Sequence, residues 1–423
     1  MKKITVAIAG LGSRGLETYA RCLKQYQGRA ELVAIADIRP DRVRVAAERY
    51  GIPAEGCYDS VESLLLQPRL ADVLFICTPD DLHYQPAVDA LKKGYHLLLE
   101  KPAARTVAEC RHIAALAEEM QRHVIVCHVL RYTVFYQTIK SLIDQGRVGQ
   151  IMNVQAIERV CYWHQAHSFV RGNWHVAADT TPMILAKCCH DMDMLLWLTD
   201  KKAERVTSFG HLTHFTRDCM PQGAAERCGD ACPASGNCPY NAQRFYLDTF
   251  EKGGDCWPVN VVAPEPTREK ILAALAESDY GRCAYRMDND VVDHQVVNML
   301  LEDDVTIAFT MTAFTATGGR CIRICGTAGE IVADMESNII RMRPFGGAEE
   351  EIDVRKLTSD FSGHGGGDAR MISDLLDLLE GKGVSPALTT IARSVESHYV
   401  ALAAEESRLA GGKVVVLDEF TQQ

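Results

Sequence analysis

Hydrophobic and polar positions follow one rhythm in the first part of the chain and another after it. Residues 4–9 (Ile-Thr-Val-Ala-Ile-Ala) are a nearly continuous apolar run, the pattern of a strand buried on both faces. A glycine-rich turn follows, then a predicted helix from about Leu16 to Gln25. Glu31–Ile38 reads as a second strand, closed by Arg39-Pro40-Asp41, and Arg42–Tyr50 as a helix. Strands at Val73–Cys77, His96–Leu99 and His123–Val129 alternate with helices at Tyr84–Lys93, which Gly94 stops, and Val107–Gln121. Alternating strands and helices with right-handed crossovers predict an α/β, doubly wound parallel sheet of the Rossmann type.

Past about Leu130 the pattern changes. Phe135–Gln145 and Leu185–Leu198 read as helices and Gln150–Val160 as a strand. From Val292 onward come long strands with few helices: Val292–Leu301, Val305–Thr312, Cys321–Gly326, Glu330–Met335 and Asn338–Arg343, the first two joined by a turn at Asp303-Asp304. Asp368–Leu379 and Thr390–Ala410 read as terminal helices and Lys413–Leu417 as a last strand. This predicts an α+β second domain on a large, open, mainly antiparallel sheet. Roughly Phe215–Asn289, rich in Cys, Pro, Gly and charge, reads as an insertion with little regular structure. A chain of 423 residues exceeds one ordinary core. The expected division is 1–128 as a dinucleotide-binding domain and 129–423 as a substrate and oligomerisation domain, with the insertion at about 215–290.

A formal net charge of -11 disfavours polyanionic partners, so neither nucleic acid nor an anionic membrane surface is expected. No apolar run approaches the ~20 residues of a membrane helix. The start, Met1-Lys2-Lys3 before Ile4–Gly12, mimics a signal peptide but has too short an apolar core. A cytoplasmic protein is expected.

Gly10-Leu11-Gly12-Ser13-Arg14-Gly15 lies between a strand and a helix, and Asp37 closes the next strand. This is the context of a dinucleotide fingerprint. Gly10 serves the tight turn, Gly12 the approach of the pyrophosphate and Gly15 the packing of helix on strand, with the amides of Ser13 and Arg14 facing the phosphates. An acid at Asp37 accepts ribose hydroxyls and repels a 2′-phosphate, so NAD is favoured over NADP, against the nearby Arg39 and Arg42.

Thr78-Pro79 with His83 behind it, and Glu100-Lys101-Pro102 after a short strand, carry a resemblance. So do His128-Val-Leu-Arg-Tyr132, His190-Asp191-Met-Asp193 and Gly363-His-Gly-Gly-Gly-Asp368. With these motifs the chain resembles the Gfo/Idh/MocA oxidoreductases over nearly its whole length, the cysteine-rich insertion excepted. The resemblance implies a Rossmann domain, an open-sheet domain, a sugar or polyol bound between them, and a homo-dimer or homo-tetramer packed through the sheets. It assigns Lys101 to both a ribose hydroxyl of the cofactor and the reacting hydroxyl. Thr78, Pro79, His83 and Glu100 stand with it at the ligand-binding strand edge.

Oxidation of a carbinol needs a proton acceptor, and histidine titrates near neutrality. His190 is the candidate. On a continuous helix, Lys187, His190 and Asp191 share one face. Inositol dehydrogenase-like chains carry an acid four positions before this histidine, where this chain has Ala186. Asp191 or Asp193 could replace it; Lys187 could hold the substrate oxygen, lower the His190 pKa, or act as a second acid or base.

The segment from Tyr162 to Trp174 offers Tyr162, Trp163, His164, His167, Arg171 and Trp174 for sugar recognition, or for packing at a domain interface. His364, in a glycine-rich loop before a helix, can reach the cleft. Among sixteen cysteines, Cys219, Cys228, Cys232 and Cys238 form a cluster that reads as a structural zinc site, as unliganded reduced thiols or as an iron–sulfur site. Three functions compete: an NAD-dependent sugar or inositol dehydrogenase, a redox-neutral glycosidase using NAD transiently, as some family members do, and a non-enzymatic cofactor-binding regulator.

Overall fold

The computed structural model describes residues 3–229 and 231–422. Six parallel strands form the first sheet: β1 (Ile4–Ala9), β2 (Ala30–Ala36), β3 (Cys57–Tyr58), β4 (Val73–Ile76), β5 (His96–Leu99) and β6 (Val124–Val126). Their order is β3-β2-β1-β4-β5-β6. It is a doubly wound sheet whose order reverses beside β1, where such sheets bind ligands beyond the strand carboxyl ends. Helices cover both faces, which is why β4 is buried at every position and reads as an unbroken apolar run. The first turns after β1 are wound as a π-helix, Ser13–Ala20, before the α-helical turn Arg21–Leu23.

The second sheet has nine strands: β7 (Ile151–Arg159), β8 (Ala203–His211), β9 (His294–Leu301), β10 (Thr306–Thr312), β11 (Gly319–Gly326), β12 (Gly329–Asp334), β13 (Ile339–Pro344), β14 (Glu350–Asp353) and β15 (Val415–Val416). The order is β14-β13-β12-β11-β7-β10-β9-β8-β15. Every pairing is antiparallel except β7 with β10, so the sheet is mixed. The turn at Asp303-Asp304 joins β9 to β10, both residues at positive φ. Helix Ile391–Leu409 packs on β8, on helix Cys189–Thr199 and on helix Val107–Glu119 of the first domain. One continuous apolar core consequently runs through both sheets. The other sheet face leaves Phe209 and Val296 about half exposed.

Two expectations change. The helix expected at Leu185–Leu198 is two helices, Met183–Ala186 and Cys189–Thr199, interrupted at Lys187-Cys188. The insertion is not irregular: it holds helices Ala242–Gly253, Val259–Val262 and Arg268–Glu277. The Asn241 and Thr267 side chains cap the first and third of these helices by accepting from the amides of Arg244 and Lys270. Tyr246, Leu247, Ile271 and Leu275 give them a small core of their own. Its high polar content hid two short amphipathic stripes. No helix among the described residues is long and apolar enough to cross a membrane.

Candidate active site

The glycine turn forms a cradle beyond β1. A Cβ on Gly10 would stand 2.4 Å from the Cys77 carbonyl oxygen, and one on Gly15 1.9 Å from the Gly10 carbonyl oxygen. Both positions are closed by backbone. A Cβ on Gly12 would meet only Arg42 Nη1, at 3.8 Å, so the space before it is open. Asp37 stands beside this opening, its oxygens accepting from the amides of Leu11 at 2.6 Å and Arg39 at 2.8 Å, with Arg42 Nη1 at 3.6 Å.

Three residues of the expected cofactor site turn inward. Arg14 donates through Nε to Glu100 at 2.6 Å and through Nη2 to Asp368 at 2.7 Å and Tyr19 at 2.5 Å. Its guanidinium ties the turn to helix Ser362–Leu379 of the second domain. Glu100 also accepts from Tyr19 at 2.6 Å and from the Lys101 amide at 3.1 Å. Burial pushes the Glu100 carboxyl up, but Arg14 and Lys101 together hold it below its ordinary range. His83 is fully buried, its ring nitrogens 2.7 and 2.8 Å from the carbonyl oxygens of Pro102 and Thr78. It fastens the Thr78-Pro79 turn to the end of β5.

Lys101 leaves β5 and donates from Nζ to the Ala186 carbonyl at 2.7 Å. It thereby binds the backbone of the residue that carries no acid. His190 is buried, its ring centroid 5.7 Å from His128 and 6.0 Å from His364, and its Nδ1 has no hydrogen-bond partner. Burial, reinforced by the positive charge of Lys101, keeps the imidazole well below the usual histidine range and so neutral. Neither Asp191 nor Asp193 pairs with His190. Asp191 accepts Arg320 at 2.7 and 3.0 Å, and Asp193 accepts Arg131 at 2.6 and 2.5 Å. Because the helix breaks at Lys187, that residue leaves the His190 face and meets Glu158 at 3.5 Å. Glu158 also meets Arg320 at 2.7 Å across the β7–β11 register. Glu158 and Arg320 escaped sequence reasoning, their one signal being a charge at inward strand positions.

His364 lies in a loop where Gly363, His364, Gly365 and Gly366 all have positive φ, its Nδ1 3.1 Å from Asp368. The 162–174 segment splits. His167 pairs with the Tyr246 hydroxyl at 2.7 Å and stacks on Tyr280. Arg171 donates to the carbonyls of Arg282 and Tyr240. Both are buried against the insertion instead of facing substrate. Tyr162 packs on Tyr240, and the Trp174 indole N–H donates to Asp80. Trp163 and His164 stack on each other, and burial, then Lys187, hold the His164 imidazole well below its usual range. The cysteines do not form the expected ligand set. Cys219 is exposed on its own turn, while Cys228, Cys232 and Cys238 line a small cavity with Cys283. Among the described residues no three His, Cys, Asp or Glu side chains are grouped to hold a metal ion.

Known proteins share this architecture. The model of the oxidoreductase family with an NAD-binding Rossmann fold, Gfo/Idh/MocA, matches residues 4–128, and the Gfo/Idh/MocA C-terminal domain matches residues 136–234. The chain is 21% identical over 386 residues to the putative oxidoreductase YteT of Bacillus subtilis (strain 168), covering 88% of each. It is 28% identical over 210 residues to inositol 2-dehydrogenase of Salmonella typhimurium, 48% of this chain and 56% of the relative. The solved WlbA dehydrogenase from Bordetella pertussis, in complex with NADH and UDP-GlcNAcA, superposes with a TM-score of 0.69 over 98% of each chain at 19% identity. With both domains matched and the glycine cradle in place, the chain belongs to the Gfo/Idh/MocA family of NAD-binding oxidoreductases.

Proposed function

We propose that this protein removes hydride from a carbinol carbon of a sugar, sugar derivative or inositol, with NAD as acceptor. The observation that carries the proposal is His190: a buried, neutral imidazole beside Lys101 at the edge where the cradle opens. The relatives named for inositol and sugar-nucleotide dehydrogenation agree with it.

The open face of Gly12 and the carboxylate of Asp37 fit a dinucleotide. NAD is preferred over NADP because Asp37 repels a 2′-phosphate, although Arg42 offsets part of that charge. Bound NAD supplies the hydride acceptor. His190 takes the hydroxyl proton on Nε2, the ring nitrogen that is not sealed in the protein. Lys101 spends one N–H on Ala186 and has two left to hold the developing alkoxide oxygen. Lys187, paired with Glu158, orients a neighbouring hydroxyl. Arg14, Glu100 and His83 are positioning residues, since they hold the cradle and the Lys101 strand end in place. The half-exposed apolar sheet face supports a homo-oligomer, and sixteen free thiols suit the reducing cytoplasm.

The test is to incubate the protein with NAD and a panel of inositols, sugars and aryl glycosides, following nicotinamide absorbance and aglycone release together. Net NADH that Lys101→Ala abolishes is the expected result. Aglycone without net NADH would assign the redox-neutral cleavage instead.

A further inference from the structure

The insertion places beside Trp163 and His164 a residue that no motif indicated. Trp257 is 42% exposed, a large apolar surface left open. Its ring lies 5.0 Å from His164 and 5.4 Å from Trp163, and Trp163 stacks on Phe245 of the insertion at 5.3 Å. His164 in turn lies within the field of Lys187, Arg320 and Lys101. The three rings form a wall whose His164 end meets the cations and whose Trp257 end is exposed. Scattered exposed aromatics are ordinary; a backed cluster is not.

The polar atoms of the wall distinguish it from its neighbours. The Trp174 indole N–H is committed to Asp80 and the His167 ring to Tyr246. Among the described residues, the indole N–H groups of Trp163 and Trp257 and the ring nitrogens of His164 have no hydrogen-bond partner, although all three side chains sit in a packed cluster. Flat apolar faces with uncommitted donors at their rims are what a sugar ring needs: C–H groups on the face, hydroxyls at the edge. The wall adjoins the reacting position, since Lys101 and Arg320 act on both His164 and His190. His190 makes ring contacts with His128 and His364, and no ring contact among the described residues joins that group to Trp163, His164 or Trp257. A sugar ring resting on Trp257, one ring beyond His164, then lies next to the one oxidised at His190.

Resting on the oxidoreductase reading above, we propose that Trp257, with Trp163 and His164, is a binding subsite for a second sugar ring. The substrate is then a glycoside of at least two sugar units. The insertion is the element that selects it.

The experiment compares turnover by the NAD-loaded protein of disaccharides of different linkage (cellobiose, maltose, lactose, gentiobiose) with their monosaccharides, myo-inositol and aryl glucosides. Wild-type kcat/KM should favour a disaccharide. Trp257→Ala should lower kcat/KM for that disaccharide about ten-fold, mainly through KM, and leave the monosaccharide rate and NAD affinity unchanged. Trp257→Phe should restore most of the loss. Disaccharide binding to the same protein, read by calorimetry with NAD present, provides a second readout independent of turnover. A wild-type preference for monosaccharides, inositol or aryl glucosides overturns the proposal. So does a Trp257→Ala defect equal for one ring and two. Oxidation absent on every substrate, with disaccharide binding still dependent on Trp257, would refute the oxidoreductase reading and leave the subsite standing.

Discussion

Arg14 sits in the glycine turn, where its amide is expected to face phosphate, and its guanidinium is a tie between domains. Arg14→Met keeps the stem and removes the charge. Glu100 and Asp368, whose side chains are 8% and 3% exposed, then lose their cation. Removing one partner of a buried ion pair costs about 3–5 kcal/mol. Here the lower end applies: Glu100 keeps Tyr19 and the Lys101 amide, and Asp368 keeps His364 at 3.1 Å. A loss of about 3 kcal/mol should lower the urea midpoint with little change in slope. The pH dependence gives a second check. Burial pushes both carboxyls up, and Arg14 pulls both below their ordinary values in the wild type. Depressed carboxylates contribute stability that is present above the unfolded pKa, about 4, and lost as pH falls through the folded value. In the variant the pull is gone and burial prevails, so the deficit should be largest near neutrality and narrow below about pH 5. An unchanged midpoint with NAD binding weakened about ten-fold, 1.4 kcal/mol, would refute the tie and make Arg14 a phosphate ligand.

Because His190 is neutral well below the usual histidine range, kcat/KM should show no acid limb from this group between about pH 6 and 8. A limb in that window that disappears in His190→Asn would contradict the burial argument. Asp37→Asn removes the charge facing the ribose while keeping an acceptor for Leu11. It should shift the NADP-to-NAD affinity ratio about ten-fold toward NADP, measured by titration of each cofactor. An unshifted ratio would give discrimination to Arg39 and Arg42 instead.

The parallel sheet was legible because burial on both faces leaves unbroken apolar runs, and the cradle because Gly10 and Gly15 are closed by backbone. What a side chain pairs with was less so. Glu100, His83 and Arg14 stand at the expected strand edge yet point into the protein, since each has a better partner within than a cofactor would be. The break at Lys187-Cys188 invalidated a face argument that assumed one helix. Glu158 and Arg320 meet only through strand register, which no local pattern states. His167 and Arg171 look like sugar ligands in composition and are claimed by the insertion, whose own small cores are invisible until its helices are paired.

The central claim is hydride transfer from substrate carbon with His190 as base. Its most direct test offers the protein NAD and a sugar or polyol turned over in the panel, deuterated at its carbinol carbons, with the cofactor analysed by mass spectrometry. Deuterium is expected in the reduced nicotinamide, with the rate lowered about hundred-fold or more in His190→Asn. Unlabelled cofactor, or His190→Asn transferring deuterium at the wild-type rate, would contradict it.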